Sequence, residues 1–317
     1  MPEIRDFCNA DLPDLTRVWS QHWSTTGTPP PISTTIIERA ILSRMFFSSR
    51  ELLVATINGQ VEAFCHFSRP GAQGDAWEDQ PAEDVAILSA ICFTPAGLEC
   101  CDDLLLAAMD RMAAMGCHSI LAGPLRDQQC GYVGLPPIGH GVGIPDYDVR
   151  VSSLLSRHGF RPWGSYTRMA VTTAPYRPPV NREMMQYRRT TRSECSGVVP
   201  QDSRYASAMA HMDIEHYQLI NHRNGDRLAN CRLWLSDPEA QVMSCSEALL
   251  DLTVIEQPDQ LTPAEVFLVS VMVQSLATRC VFRVETVIDA EHSMLAEQLG
   301  TLQFENISGG QRWKKEF

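Results

Sequence analysis

The sequence lacks three features that would place the protein in a membrane, outside the cell or on a nucleic acid. It has no run of about 18 apolar residues, and its first residues do not show the charged-then-apolar pattern of a secretory leader. Its 26 Lys and Arg are outnumbered by 38 Asp and Glu, which gives a formal net charge of -12. Binding to DNA or RNA depends on basic surfaces that neutralise phosphates. We therefore expect a cytoplasmic protein with neither a membrane nor a nucleic-acid partner.

Several motifs that carry chemistry are also missing. The 11 cysteines include no Cys-x-x-Cys pair, and the neighbours Cys100 and Cys101 would point in different directions on a helix. We therefore predict reduced thiols and no metal site. There is no G-x-S-x-G, which excludes the usual esterase elbow. The glycine-rich segment 139–143 does not lie between a strand and a helix with the spacing that dinucleotide binding requires.

What the sequence does contain is a repeat. With 317 residues, of which 44% are hydrophobic, the chain is long enough for two domains. The first copy reads as β-α-β-β-β-α-β-α-β. Its elements are a strand and helix in "IRDFCNADLPDLTRVWSQHW", a hairpin about Asn58-Gly59, a buried strand over 85–93, a helix that ends at Gly116, the strand "HSILAGPL", the helix "YDVRVSSLLSRHGF" and a closing strand over 166–171. Asn-Gly between alternating runs is a strong hairpin signal.

The second copy follows the same order with a weaker pattern. It predicts a hairpin about Asp237-Pro238, the buried strand "ALLDLTVIE", the helix "LTPAEVFLVSVMVQSLATRC", the strand "VFRVETVID", the helix "EHSMLAEQLGTLQF" and the closing strand "ISGGQRWKKE". A Pro-rich segment, 172–183, separates the copies and is typical of a linker. We therefore predict one domain over 1–171 and another over 184–317.

The first copy is longer than the second at two places. Pro95 and Cys117 are further apart than their counterparts Pro263 and Cys280, so an insertion lies at the strand-to-helix turn. The next connection carries a second insertion, "GPLRDQQCGYVGLPPIGHGVGIPD". Both insertions fall at the carboxyl ends of central strands, where open α/β sheets bind ligands. The first copy is therefore the predicted functional half.

The order of elements resembles the GNAT acyltransferase superfamily, here in tandem. The motifs that carry the resemblance are "IRDFCNADLPDL", "LLVATINGQVEAF", "ICFTPAG", "MGCHSI" and "HGF". The resemblance implies an α/β fold of two GNAT-like domains, each a mixed central sheet flanked by helices. It also implies acetyl-CoA or another acyl-CoA between the fourth and fifth strands, with a small-molecule or peptide amine as substrate. The residues at the cofactor's place are Ile91, Cys92, Phe93, Gly97, Leu98, Glu99, Cys100 and Cys101.

The first copy departs from that family at the pyrophosphate-binding turn. The family motif is Arg/Gln-x-x-Gly-x-Gly/Ala, whose glycines let backbone N–H groups approach the phosphates. No register between residues 96 and 103 supplies either glycine. Glu99, Asp102 and Asp103 stand there instead. They either complement the helix dipole on its solvent side or weaken the binding of an anionic cofactor.

The equivalent turn of the second copy reads as a plain helix start. Thr262-Pro263-Ala264-Glu265 fits a capping box with proline at the first helical position. Because its N–H groups are already satisfied, we expect no cofactor there. A structural or substrate-framing role is predicted for residues 179–317.

Acyl transfer to an amine needs a base, donors for the oxyanion and an acid for the leaving thiolate. The backbone between Ala90 and Phe93 is the candidate oxyanion donor. The family's usual acid is a tyrosine five residues before the Phe of the "GF" turn. Leu155 and Leu299 stand at those places, so neither copy keeps the usual acid.

Replacement catalytic residues are predicted in the inserted loop. Tyr132 and His140 are the candidates. The competing interpretations are that the Tyr132 ring packs the loop onto the core and that His140 is a surface histidine. Cys130 is a third group in the same loop, although most lone cysteines are inert.

The sequence thus predicts an acyl-CoA-dependent N-acetyltransferase that uses its N-terminal half and acts on an amine. The alternative is a catalytically inactive tandem GNAT-like protein that serves as a binding or scaffold module. The missing glycines, the acidic helix start and the missing tyrosines support that alternative. A third hypothesis is an enzyme that reuses the cleft through Cys130 or His140.

Overall fold

A computed structural model of the chain describes residues 2–25, 31–69, 84–125, 132–200 and 203–317. They form two compact units. Unit 1 is Met1–Ser165, Pro200–Ala210 and Gly309–Phe317, and unit 2 is Tyr166–Val199 and His211–Ser308. This division differs from the predicted domains over 1–171 and 184–317, because part of the closing strand of each repeat belongs to the other unit.

The described elements alternate as the repeat predicts. The strands are β1 Glu3–Asp6, β2 Leu52–Ile57, β3 Gln60–Ser68, β4 Val85–Phe93, β5 Ser119–Ala122, β6 Ile144–Pro145, β7 Arg161–Thr172, β8 Thr191–Val198, β9 Met212–Asn221, β10 Arg227–Ser236, β11 Glu247–Asp251, β12 Arg283–Asp289 and β13 Glu305–Glu316. The helices are α1 Leu12–Ser24, α2 Thr34–Ile37, α3 Cys101–Ala114, α4 Val149–Arg157, α5 Arg182–Thr190, α6 Ser203–Ala208, α7 Pro263–Leu276 and α8 Ser293–Thr301. Within the described ranges, no helix combines the length and the apolarity needed to cross a bilayer.

Unit 1 contains a mixed sheet. β1, β2, β3 and β4 pair antiparallel in sequence order. β5 pairs parallel with β4, and the end of β13 pairs antiparallel with β5. The hairpin of β2 and β3 turns at Asn58 and Gly59, whose φ angles of 54° and 81° suit a two-residue turn that needs two positive φ values. The hairpin prediction is confirmed.

The two faces of this sheet are covered by different helices. Ala63, Cys65 and Phe67 of β3 join a core made with α3 and α4. Phe64 points the other way and stacks on Trp19 of α1, with ring centroids 6.5 Å apart. Because successive residues of a strand face opposite sides, α1 covers one face and α3 and α4 cover the other.

Unit 2 has a sheet of the same type. Its strands run in the order β7, β12, β11, β10, β9, β8, with β11 and β12 parallel and the other neighbours antiparallel. Residues of α7 and α8 pack with the sheet in one hydrophobic core. The mixed α/β fold with two repeated halves is confirmed.

The tight hairpin predicted about Asp237-Pro238 is wrong. β10 ends at Ser236, and β11 begins only at Glu247. Between them the consecutive residues Val242 and Met243 are both buried. Residues 237–246 contain turns and bends and no strand, so this segment does not extend the sheet. A short turn over 222–226 instead joins β9 to β10.

Candidate functional site

β4 and β5 separate before β4 ends. Their parallel pairing stops at Leu88 and Ala122, whereas β4 continues to Phe93. Ser89 has no partner in β3, which marks a bulge where the separation begins. We call the place beside this length of β4, at the carboxyl ends of the two strands, the gap. The predicted cofactor residues on β4, Ile91 to Phe93, pair with β3 but lie beyond the last pair with β5.

Backbone donors of β4 face this gap. The N–H of Phe93 donates to Nδ1 of His22 on α1 rather than to β3, with an N to N distance of 3.2 Å. N–H groups alternate between the two sides of a strand, so the N–H of Ile91 faces the same side. The gap therefore presents the kind of group that the sequence predicts for the oxyanion.

A buried pair of side chains crosses the gap. Nε2 of His22 lies 3.0 Å from a carboxylate oxygen of Asp148, and the two side chains are 0% and 2% exposed. Because Nδ1 accepts from Phe93, the pattern assigns the proton to Nε2, which donates to Asp148. Asp148 caps α4, whereas His22 belongs to α1 on the opposite face. The pair therefore passes through the sheet where the strands have separated.

Tyr132 lies beside this gap on the α1 face. Its hydroxyl is 2.8 Å from Nδ1 of His66, and its ring stacks on Trp19 with centroids 6.1 Å apart. The residue is 1% exposed. Burial lowers the pKa of His66 to about 4, so this imidazole is neutral at pH 7. Tyr132 packs the loop onto α1, and its catalytic role stays a prediction.

The other predicted loop residues are placed differently. His140 ends a short 3-10 helix and is half-buried. A Cβ on Gly139 would lie 2.0 Å from the carbonyl oxygen of Tyr132, so the loop folds closely on itself there. The catalytic role of His140 stays a prediction. Cys130 lies outside the described residues.

The strand-to-helix turn is closed by its own residues. Residues Ala96–Cys100 form a 3-10 helix that leads directly into α3. Oγ1 of Thr94 accepts the N–H of Gly97 at 3.1 Å, and the Thr94 hydroxyl donates to the carboxylate of Glu62 on β3. A Cβ on Gly97 would lie 2.1 Å from the backbone oxygen of Glu62. Gly97 is therefore required by packing, and its N–H is not available to a phosphate.

The remaining predicted cofactor residues point either into the core or into solvent. Cys92, Cys100 and Cys101 are buried, and the last two place their sulfurs 3.1 Å from the carbonyl oxygen of Gly97. Burial raises the pKa of the Cys92 and Cys101 thiols, which stay protonated at pH 7. Leu98 is 54% exposed, and Glu99 is exposed as well. The ten described cysteines form no disulfide with one another.

The acidic start of α3 is partly compensated by basic side chains. Asp102 lies 3.0 Å from Arg157 and 2.7 Å from His158, both at the end of α4. The hydrogen bond from His158, helped by Arg157, lowers the pKa of the Asp102 carboxyl. The N-cap of α3, Cys100, makes no side-chain cap. The start of α3 thus lies beside two basic groups.

The equivalent turn in the second copy has the predicted capping box. Oγ1 of Thr262 accepts the N–H of Glu265 at 3.3 Å, and the Glu265 carboxylate accepts the N–H of Thr262 at 2.8 Å. Pro263 occupies the first helical position. The predicted capping box is confirmed. Leu155 and Leu299, which replace the family's acid, are both fully buried.

His22 and Asp148 are absent from the sequence prediction. His22 follows Leu15, Val18 and Trp19 at helical spacing, so the sequence predicts that His22 lies in the core. Asp148 comes directly before a helix, so the sequence predicts that Asp148 is its N-cap. Both predictions are correct, but nothing local links residues 126 positions apart. In the described ranges, no three His, Cys, Asp or Glu side chains are placed to hold a metal ion.

Comparison with solved structures identifies the fold. A tandem GNAT protein from the clavulanic acid biosynthesis pathway, without acetyl-CoA, matches with a TM-score of 0.66 and 12% identity over 100% of this chain and 98% of its own. A GCN5-related N-acetyltransferase from Sphaerobacter thermophilus matches with a TM-score of 0.62 and 12% identity over 99% and 95%. A putative acetyltransferase from Pyrococcus horikoshii matches with a TM-score of 0.56 and 8% identity over 100% and 89%.

These likenesses define architecture alone, because the identities are low. The chain has the tandem GNAT fold, with its acyl-CoA motif degenerate in the first copy. No protein-family model matches the sequence. No curated protein matches it significantly.

Proposed function

We propose that unit 1 binds an acyl-CoA, such as acetyl-CoA, in the gap between β4 and β5 and transfers the acyl group to an amine. The observation that carries this proposal is the early separation of the two strands. It turns the N–H of Phe93 toward the gap instead of toward another strand. A thioester carbonyl needs such a donor where negative charge develops. The GNAT fold supports the same class of reaction.

The residues fit the two ends of such a ligand unequally. When bound, an acyl-CoA supplies an activated carbonyl, and β4 offers backbone donors for it. At the phosphate end the turn lacks the family glycines, and Gly97 is committed to packing on β3. We propose that Arg157, beside the start of α3, supplies the positive charge instead, with His158 next to it as a further polar contact. The backbone of residues 97–101 remains the proposed phosphate-side contact.

His22 is the proposed proton acceptor. Its Nδ1 is a lone-pair site at the end of β4, and it becomes available once the N–H of Phe93 binds another oxygen. Asp148 on Nε2 would stabilise the imidazolium that forms, as a carboxylate does in other His-carboxylate pairs. Tyr132, hydrogen bonded to the neutral His66, is the proposed proton donor to the leaving thiolate. His140 is proposed to contact substrate from the same loop.

A second function is favoured by a different observation. The N–H groups of Phe93 and Gly97 are held by His22 and Thr94, so the chain fills its own gap and turn. Because these backbone donors are already occupied, the site suits a catalytically inactive protein that acts as a binding module. An amine substrate belongs to the first proposal only, whereas we propose a cytoplasmic location for either function.

Calorimetric titration of the full chain with acetyl-CoA separates these functions. We expect saturable heat below millimolar ligand, followed by thiol release when a panel of small amines and peptides is added. The variant His22→Gln keeps an acceptor near Phe93 but is not a base. It should bind acetyl-CoA as the parent chain does and lose about 100-fold in transfer rate.

His216→Gln, a histidine substitution in unit 2, is the matched control and should leave both readouts unchanged. Binding without thiol release from any amine would support the binding module. Absence of heat at millimolar acetyl-CoA would contradict the acyltransferase.

A further inference from the structure

Unit 2 contains a cleft that lies outside its strand-to-helix turn. The cleft has a volume of 340 Å³ and is bounded by α5, α7, residues 178–180 and the start of β8. Small-molecule sites typically enclose about 300 to 1,000 Å³. The cleft is therefore large enough for a small organic ligand.

Seven of the thirteen residues that line the cleft are apolar. Met184 and Phe267, which are 7% and 9% exposed, lie at its inner side, and Val271 also lines it. At its mouth Val180 and Met185 are 80% and 48% exposed. Large apolar side chains that stay this exposed around a concave surface are typical of a ligand site.

One cation at the cleft has no counter-ion. Arg188 lines the cleft and makes no ion pair with any described residue. Arg192 also lines it, but its guanidinium is bonded to Glu194 at 2.6 Å. Arg188 and the next residue of α5, Arg189, are both exposed, but Arg189 does not line the cleft. Arg188 and Arg189 both lie in the last turn of α5 and complement its dipole equally. Only the orientation toward the cleft distinguishes Arg188.

We propose that this cleft binds a small amphipathic carboxylate. The apolar body lies against Met184, Phe267 and Val271, and the carboxylate pairs with Arg188. A guanidinium matches a carboxylate in shape as well as charge, because its N–H groups form a planar fork. A positive site also stands out on a chain of net charge -12. The residues involved belong to unit 2, so this inference does not rest on the proposed acyltransferase activity.

Titration of the full chain with sodium octanoate tests the proposal, with octanol and octylamine as matched probes. We expect octanoate to bind, octanol to bind more weakly and octylamine to bind least. Arg188→Ala should weaken octanoate binding about 5-fold, which is the contribution expected of a partly exposed ion pair. The same variant should leave octanol binding unchanged. Arg189→Ala is the matched control and should change octanoate affinity less than about 2-fold.

Val271→Phe tests the location, since a larger ring fills the apolar wall. It should abolish octanoate binding while circular dichroism and the melting temperature remain those of the parent chain. If that variant loses its fold, Gln274→Trp at the exposed edge of the cleft replaces it. No octanoate binding at millimolar concentration, or binding that neither filling variant changes, would overturn the site. Equal effects of Arg188→Ala and Arg189→Ala, or octanol as tight as octanoate, would overturn the assignment of the carboxylate to Arg188.

Discussion

The strand-to-helix turns of the two copies make the same kind of hydrogen-bonded cap, but the carboxylate in each cap comes from a different place in the chain. In both, a threonine oxygen accepts the N–H three residues on, Gly97 for Thr94 and Glu265 for Thr262. The carboxylate beside the threonine is Glu265 itself in the second copy and Glu62 of β3 in the first. Because a neighbouring strand supplies the carboxylate in the first copy, its turn can carry glycine and pack closely against that strand. A missing sequence motif therefore did not mean a missing cap.

The connection between the next strand and the next helix differs more in length between the two copies. In the second copy only residues 290–292 join β12 to α8, whereas residues 123–148 join β5 to α4 in the first. The longer connection ends at Asp148, whose side chain caps α4 and bonds His22. The counterpart before α8 is His292, which makes no side-chain cap. The insertion thus supplies the carboxylate that crosses the gap.

The largest expected effect concerns glycine in the first turn. Gly97→Ala places a Cβ 2.1 Å from the backbone oxygen of Glu62, so β3 or the turn must move. We expect a loss of at least about 3 kcal/mol in the free energy of unfolding, measured from the urea midpoint. Gly300→Ala in α8 meets no atom within 4 Å and should be neutral or stabilise by up to about 1 kcal/mol. Similar midpoints for the two variants would show that the first turn is not locked to β3.

The next effect concerns the residues before α4 and α8. Asp148→Ala removes a helix cap and leaves the N–H of the buried His22 without an acceptor, which should cost about 2 to 3 kcal/mol. His292→Ala removes no side-chain cap and should cost less than about 0.5 kcal/mol. Thermal denaturation of both variants checks the difference. A loss for Asp148→Ala no greater than that for His292→Ala would remove His22 and Asp148 from the proposed site.

The smallest effect concerns the two threonines. Thr262→Ala should cost about 1 kcal/mol, the usual cost of losing an N-cap. Thr94 is 1% exposed and also donates to Glu62, so Thr94→Ala should cost about 2 kcal/mol. Chemical denaturation of the single variants gives both values. Adding Glu62→Gln to Thr94→Ala should cost less than the sum of the two single changes, because they share one hydrogen bond. Strict additivity would refute the remote cap.

Local patterns were sufficient for most elements of the fold. Asn58-Gly59 fixed the first hairpin because both residues accept positive φ, and Thr262 to Glu265 fixed the start of α7 because a capping box is completed within one turn. The Asp237-Pro238 prediction failed because a turn dipeptide says nothing about whether the residues after it can extend the sheet. In the structure residues 237–246 form turns and bends instead of a second strand.

Less of the candidate site than of the fold could be predicted from the sequence. The gap at the end of β4 follows from the resemblance and from the inserted connections. The side chains that fill it do not, since His22 reads as a core position of a helix and Asp148 as a cap. The sequence predicts a catalytic role for Tyr132, but it does not predict the hydrogen bond between Tyr132 and His66. Each of these contacts joins segments far apart in the chain.

The sequence by itself determined the repeated order of elements, the longer connections of the first copy and the loss of the family's glycines. These follow from periodicity, turn residues and caps, which act over a few residues. Only the tertiary structure decided that the closing strands are shared between the units, that Glu62 bonds the threonine of the first turn, and that His22 and Asp148 meet in the gap between β4 and β5. Pairing and burial across long separations depend on which surfaces pack together, and no local pattern encodes that choice.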